Sequence, residues 1–111
     1  MLEEELDSVV VLELDGQRAI VVLRGEVDLD VELRIVDAIR RTARIQDLAV
    51  VEVDATAVTF IDSSGLRALI LGCEEALSHG LEFSVRITAG GQMARVFALA
   101  GLDEALRVVV T

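Results

Sequence analysis

The sequence predicts an α/β fold: a mixed β-sheet of four to five strands with helices packed against it, in the order β-β-α-β-α-β-α-(β). Three observations predict it. Short β-branched runs recur along the chain, several of them alternating apolar with polar residues. Between the later runs stand segments whose apolar residues repeat at helical spacing. The first two runs are separated by Asp15-Gly16, a pair that favours a tight hairpin and so makes those strands antiparallel neighbours.

Taken in order, Val9 to Leu14 is β-rich, and Ala19 to Leu23 follows the turn. Gly25-Glu26-Val27-Asp28 leads out of strand two. Asp28 or Asp30 then caps a helix from roughly Val31 to Arg44. Its apolar positions are Ile35, Val36, Ile39 and Ala43. Arg34, Arg40, Arg41 and Arg44 take the other side and the last turn, where cations suit the helix dipole. Leu48 to Val53, interrupted by Glu52, reads as a central and mostly buried strand. Asp54 to Phe60 reads as a loop. A second helix starts near Asp62-Ser63-Ser64-Gly65, with Leu66, Leu69, Ile70, Cys73 and Leu77 spaced as one buried face. Gly80 is placed to end it in the left-handed conformation. Phe83, Val85 and Ile87 alternate with Ser84, Arg86 and Thr88, the period of a half-buried strand. After Gly90-Gly91, Met93, Val96, Phe97 and Ala100 form a short amphipathic helix stopped at Gly101. Leu106 to Val110 is either a last edge strand or a strand leading into a further helix.

The chain has 111 residues, no proline and no linker-like or repetitive tract, so residues 1–111 read as a single domain. Hydrophobic residues make up 53% of it, enough to form a core. The net charge is −10, and every one of the ten Lys-plus-Arg cations is arginine. Such a surface repels phosphate backbones and anionic lipid, which argues against direct nucleic-acid or membrane-surface binding and favours a basic protein partner. Schiff-base chemistry on a lysine is excluded. A lone cysteine forms no internal disulfide, Glu3, Glu4 and Glu5 stand where a signal peptide carries positive charge, and the apolar runs are far shorter than a membrane span. The expectation is a soluble cytoplasmic domain.

Active-site chemistry is hard to build from these residues. His79, the only histidine, falls at the far end of the second helix, roughly 22 Å from Ser64 at helical rise, which breaks any Ser-His-Asp triad. Cys73 lies on the buried helix face as a structural thiol. No Cys/His cluster is present for a metal, and Asp28, Asp54 and Asp62 form only a weak carboxylate set for Mg²⁺. No phosphate loop exists, and Gly90-Gly91 reads as a plain turn. The expectation is therefore a protein that is not an enzyme and holds no cofactor or metal.

The most informative segment runs from Val51 to Leu66, where a buried strand feeds a helix start bearing two hydroxyls. Asp62 and Ser63 are good caps for first-turn N–H groups, and capping alone needs no function. The position also has the physics of a switch. A phosphoryl group on a first-turn serine adds about −1.5 to −2 charges, which a helix N-terminus tolerates while the surface turns anionic.

Here the sequence resembles a known family. D-x-x-x-V-T-F-I-D-S-S-G-L, from Asp54 to Leu66, is similar to the signature of the STAS domain, specifically the bacterial anti-sigma factor antagonists of sporulation and stress-response circuits. Three more segments agree in order: G-E-V-D at Gly25 to Asp28, V-V-E-V-D at Val50 to Asp54, and A-R-V-F-A-L-A-G-L-D at Ala94 to Asp103. The resemblance implies a regulator that binds an anti-sigma factor serine kinase of the histidine-kinase-like ATPase type while dephosphorylated. That kinase releases it by phosphorylating the second serine of the motif, here Ser64, and a metal-dependent serine phosphatase reverses the step. Asp28, Asp62, Ser63, Ser64, Gly65 and Arg67 then form the partner-binding surface. Arg67 departs from the family, many members of which carry a small residue there. Many members also continue into a final helix, without which an exposed apolar face could pair two copies, so a monomer or weak homodimer is expected. The rival reading is a STAS-type scaffold or ligand-binding module of a stress-sensing or transport complex.

Overall fold

The two-residue loop Gly16-Gln17 folds β1 (Val11–Asp15) back on β2 (Arg18–Val27), with Asp15 opposite Arg18. Gly16 has φ +63°, and Gln17 keeps a negative φ. Positive φ at the first loop residue alone is the hairpin geometry that a glycine there permits. The computed structural model describes residues 11–111, so Val9 and Val10, which the sequence places in the first strand, lie outside the described residues.

Beyond the hairpin come α1 (Leu29–Thr42), β3 (Val50–Ile61), α2 (Ser63–Ser78), β4 (Glu82–Ile87), α3 (Gln92–Ala100) and β5 (Val108–Val110). Among the described residues, five strands form one sheet in the order β1-β2-β3-β4-β5. The first pair is antiparallel and the other three are parallel. Leu106 to Val110 thus contributes an edge strand.

Register explains the core. Ala19, Val51 and Phe83 stand opposite one another across the three central strands, as do Val21, Val53 and Val85. All six are buried, and all but Ala19 belong to one apolar cluster with Val31, Ile35 and Ile39 of α1, Ala68 and Leu69 of α2, and Phe97 of α3. The spacing of those helical residues turns one stripe of each helix to the sheet. Leu77 is a correction: it was expected on the buried face of α2, yet it is 59% exposed. It lies in the last turn of the helix, just before the His79 C-cap.

The alternate residues of β2, β3 and β4 point to the other face, and there sits Glu52, buried. Its carboxylate accepts from Arg86 at 3.0 and 3.3 Å and from Arg18 at 3.2 Å. Hydrogen bonding and charge from Glu52 raise the Arg86 pKa above its usual value. A mostly buried carboxylate stripped of a partner costs more than the pair contributes. We therefore expect Arg86→Ala to destabilise the fold, because it leaves the Glu52 carboxylate buried with only Arg18 beside it. Glu52→Leu should cost less, since Arg18 and Arg86 then hydrate. Urea unfolding of both variants checks the ranking.

A second correction concerns Asp54 to Phe60, expected as a loop. The residues are strand, and β3 runs unbroken to Ile61. Their partner is the far half of β2, itself longer than expected, with Arg24 opposite Ala57 and Val27 opposite Ile61. Two irregularities in this ladder, between Val22 and Arg24 and between Gly25 and Glu26, insert extra residues in β3. Bulges of this kind bend a strand and break its period of two.

Candidate functional site

The paired ends of β2 and β3 deliver two helix starts to one corner. The backbone N–H of Asp62 donates to the carbonyl of Val27 at 3.3 Å, tying the β3–α2 junction to the β2–α1 junction. Gln92 at the start of α3 accepts from the Ile61 N–H at 3.2 Å through its side-chain oxygen. Asp62 is in extended conformation, and its Oδ1 accepts from the Gly65 N–H at 3.0 Å. This is the N-cap geometry that satisfies one of the free donors of a first turn. Ser63 and Ser64 are the first two helical residues, Ser63 exposed and Ser64 half-buried. The Ser64 side chain is therefore not sealed within the core.

Gly65 is buried, and a Cβ built there would lie 2.6 Å from both the Val27 carbonyl oxygen and Ile61 Cγ1. The absence of a side chain is what lets α2 begin this close to β2. Asp28 comes just before α1 and is half-buried; its carbonyl accepts from the Val31 N–H at 3.0 Å. Asp30 falls within α1 instead of capping it. Arg67, 74% exposed, lies 3.3 Å from Glu32 of α1, whose side chain is only 14% exposed. The structure thus brings Asp28, Asp62, Ser63, Ser64, Gly65 and Arg67 to one corner.

Other candidates are dispersed. Asp54 accepts from the Thr56 N–H at 3.0 Å and its hydroxyl at 2.7 Å, bonds to a residue two along the same strand. Among the described residues no group of three or more His, Cys, Asp or Glu gathers as a metal site. His79 caps the other end of α2, its Nε2 3.1 Å from Glu75. Hydrogen bonds from His79 and then Arg40 hold the Glu75 carboxyl below its usual pKa. Burial, reinforced by Glu74 and opposed by Arg107, pushes the Cys73 thiol up and keeps it protonated. That thiol borders a cleft of about 350 Å³ walled by Leu77, Leu81, Phe83 and Ala105, at the end of α2 away from Ser64. No helix among the described residues is long and apolar enough to cross a membrane.

Two features escape a reading of the sequence. Nothing in residue type tells that Glu32 reaches Arg67, because the pair crosses between helices 35 positions apart. The Val27–Gly65 approach had a signal: a glycine in a helix first turn costs about 1 kcal/mol against alanine, so its presence marks crowding.

The fold and this corner define a small α/β domain that presents a serine-bearing helix start beside the ends of parallel strands. The chain belongs to the STAS domain family: the family model described as "Mlab, STAS domain" matches residues 10–111. Solved structures share the fold. An anti-sigma factor antagonist from Mycobacterium paratuberculosis is 24% identical, with 89% of this chain and 82% of that chain covered and a TM-score of 0.74. A sulfate transporter family protein from Wolinella succinogenes is 20% identical, with coverage of 86% and 79% and a TM-score of 0.67. The anti-sigma factor antagonist SpoIIAA in its unphosphorylated form is 18% identical, with coverage of 81% and 82% and a TM-score of 0.60. No curated protein matches the chain in sequence.

Proposed function

We propose that this domain is an anti-sigma factor antagonist switched at Ser64. In the free-hydroxyl state it docks on an anti-sigma factor serine kinase of the histidine-kinase-like ATPase type and so releases a sigma factor for transcription. The kinase ends the complex by moving the γ-phosphoryl of ATP to the Ser64 oxygen, with ADP leaving and the hydroxyl proton passing to a base of the kinase. A metal-dependent serine phosphatase resets the switch. The domain itself performs no catalysis, needs no cofactor and works in the cytoplasm.

The observation that carries this reading is the placement of the serine pair. Ser63 and Ser64 open α2 at a corner braced by the Asp62–Val27 and Asp62–Gly65 hydrogen bonds, with acidic Asp28 and Asp62 beside them. An added dianion there leaves the helix intact and changes the docking surface. The net charge of −10 suits a basic kinase surface in the unmodified state. The test is incubation with ATP and the host kinase recovered by pull-down, followed by mass-spectrometric mapping. Phosphate is expected on Ser64 and absent from Ser64→Ala; undiminished labelling of Ser64→Ala refutes the assignment.

A second reading, a scaffold or ligand-binding module of a transport or stress-sensing complex, is favoured by the sulfate-transporter neighbour and by the cleft beside Cys73. Size-exclusion chromatography of native lysate separates the two: a large stable assembly supports this second reading, a small exchanging complex the first.

A further inference from the structure

We propose that Arg67 is the phosphate-binding residue of the modified state: phosphorylation of Ser64 draws Arg67 away from Glu32 and so loosens the seam between α1 and α2. This rests on the reading of Ser64 as phospho-acceptor. Ser64 and Arg67 are three residues apart on one helix, hence surface neighbours about 5–6 Å apart at Cβ. Arg67 is the only arginine or lysine of α2, and Asp28, Asp62 and Glu32 around it are all acidic. Its present attachment is weak, a single 3.3 Å approach of Nε to one Glu32 oxygen by a side chain 74% exposed.

The competition then has a clear direction. Phosphoserine carries about −1.5 to −2 charges and three acceptor oxygens, against one charge on Glu32, and arginine binds phosphate bidentately. Capture of the guanidinium leaves the Glu32 carboxylate, 14% exposed, without this cation at the helix seam. An unpaired carboxylate is costly in so enclosed a place. Glu32 must swing outward toward water, and that response alters the start of α1. Leu29 and Leu33 lie exposed there, at 66% and 80%. The modification is in this way felt beyond the serine itself, on a second helix.

The test installs phosphoserine at position 64 by genetic code expansion, so that no kinase is needed, and follows its second ionisation by ³¹P NMR. The acidic groups of this corner, Asp28, Asp62 and Glu32, raise that pKa from about 6, and Arg67, one helical turn from the phosphate, lowers it. Arg67→Gln is expected to raise it by roughly half a pH unit to one. Glu32→Gln, which removes the competitor, should lower it, and that effect should vanish when Arg67 is also Gln. Arg67→Lys should restore part of the lowering. Identical titrations of the wild-type and Arg67→Gln phosphoproteins overturn the proposal. The two readings fail separately: kinase labelling at another residue overturns the role of Ser64, whereas the ³¹P titration depends only on the installed group.

Discussion

Gly65→Ala is expected to lower stability by about 2–3 kcal/mol and to disrupt the corner that carries Ser64. By helix propensity alone the change should stabilise by about 1 kcal/mol. Gly65 has ordinary helical backbone, so no conformational strain opposes the methyl. The opposing effect is contact. The methyl would sit 2.6 Å from the Val27 carbonyl oxygen, 2.6 Å from Ile61 Cγ1 and 2.9 Å from Val27 Cγ1. The side chains of Ile61 and Val27 are buried and have little room to yield, and the carbonyl already accepts from the Asp62 N–H. Overpacking of this kind costs roughly 1–3 kcal/mol, and a backbone obstacle places it at the upper end or above, so contact outweighs propensity. Relief requires α2 to retreat from β2, which lengthens the Asp62–Val27 bond and moves Ser63 and Ser64 relative to Asp28. Gly72→Ala is the internal control. There the added methyl meets Ile39 Cδ1, the end of a flexible side chain. Chemical denaturation should rank Gly65→Ala well below Gly72→Ala, and kinase binding should fall for the former only. Equal stabilities of the two variants would contradict the crowding argument.

The same corner shows what a sequence does and does not expose. The alternation of Phe83, Val85 and Ile87, the Asp15-Gly16 turn and the Asp62 cap are local properties, set by side-chain period, by the φ freedom of glycine and by one carboxylate near one N–H. Each is legible without the fold, and each appears in the structure, the turn displaced by one residue to Gly16-Gln17 because Asp15 pairs with Arg18 as the last residue of β1. The far half of β3 is not local. Thr56, Ala57 and Thr59 are exposed and carry no alternation, because the bulges opposite β2 shift the register. They are strand only because Arg24 to Val27 pairs with them, a fact held in neither segment alone. Glu52 follows the same logic: interposed in an apolar run, it looks like an interruption until Arg18 and Arg86 arrive from the neighbouring strands. The serine pair stands out in the sequence through its motif. Its physical setting, a helix start tied to Val27, depends on a backbone contact that no residue type declares.

Ser64→Asp is expected to weaken binding to the serine kinase by 100-fold or more while leaving the domain folded, and the contrast between those two outcomes is the sharpest measure of a charge switch. The fold should be spared for electrostatic reasons. Position 64 lies in the first turn of α2, where a carboxylate meets the positive end of the helix dipole and contributes about 0.3–1 kcal/mol of stabilisation. Half-burial of Ser64 leaves room for the longer side chain to turn toward solvent. Binding should suffer because, on the proposed reading, the contact at position 64 fits a small neutral hydroxyl: a carboxylate enclosed there loses its water without gaining a partner, a local cost of several kcal/mol that long-range attraction between an acidic domain and a basic kinase does not offset. A loss of about 2.7 kcal/mol corresponds to the 100-fold change. Ser64→Ala separates charge from the hydroxyl: it should bind the kinase close to wild type, because it adds no charge at position 64, and it should stay bound when ATP is added. Calorimetry gives the affinities and thermal unfolding gives the stabilities. If Ser64→Asp and Ser64→Ala lose affinity equally, the hydroxyl itself is the docking contact and charge has no part in release. If Ser64→Asp binds as wild type, the docking surface lies elsewhere on the domain.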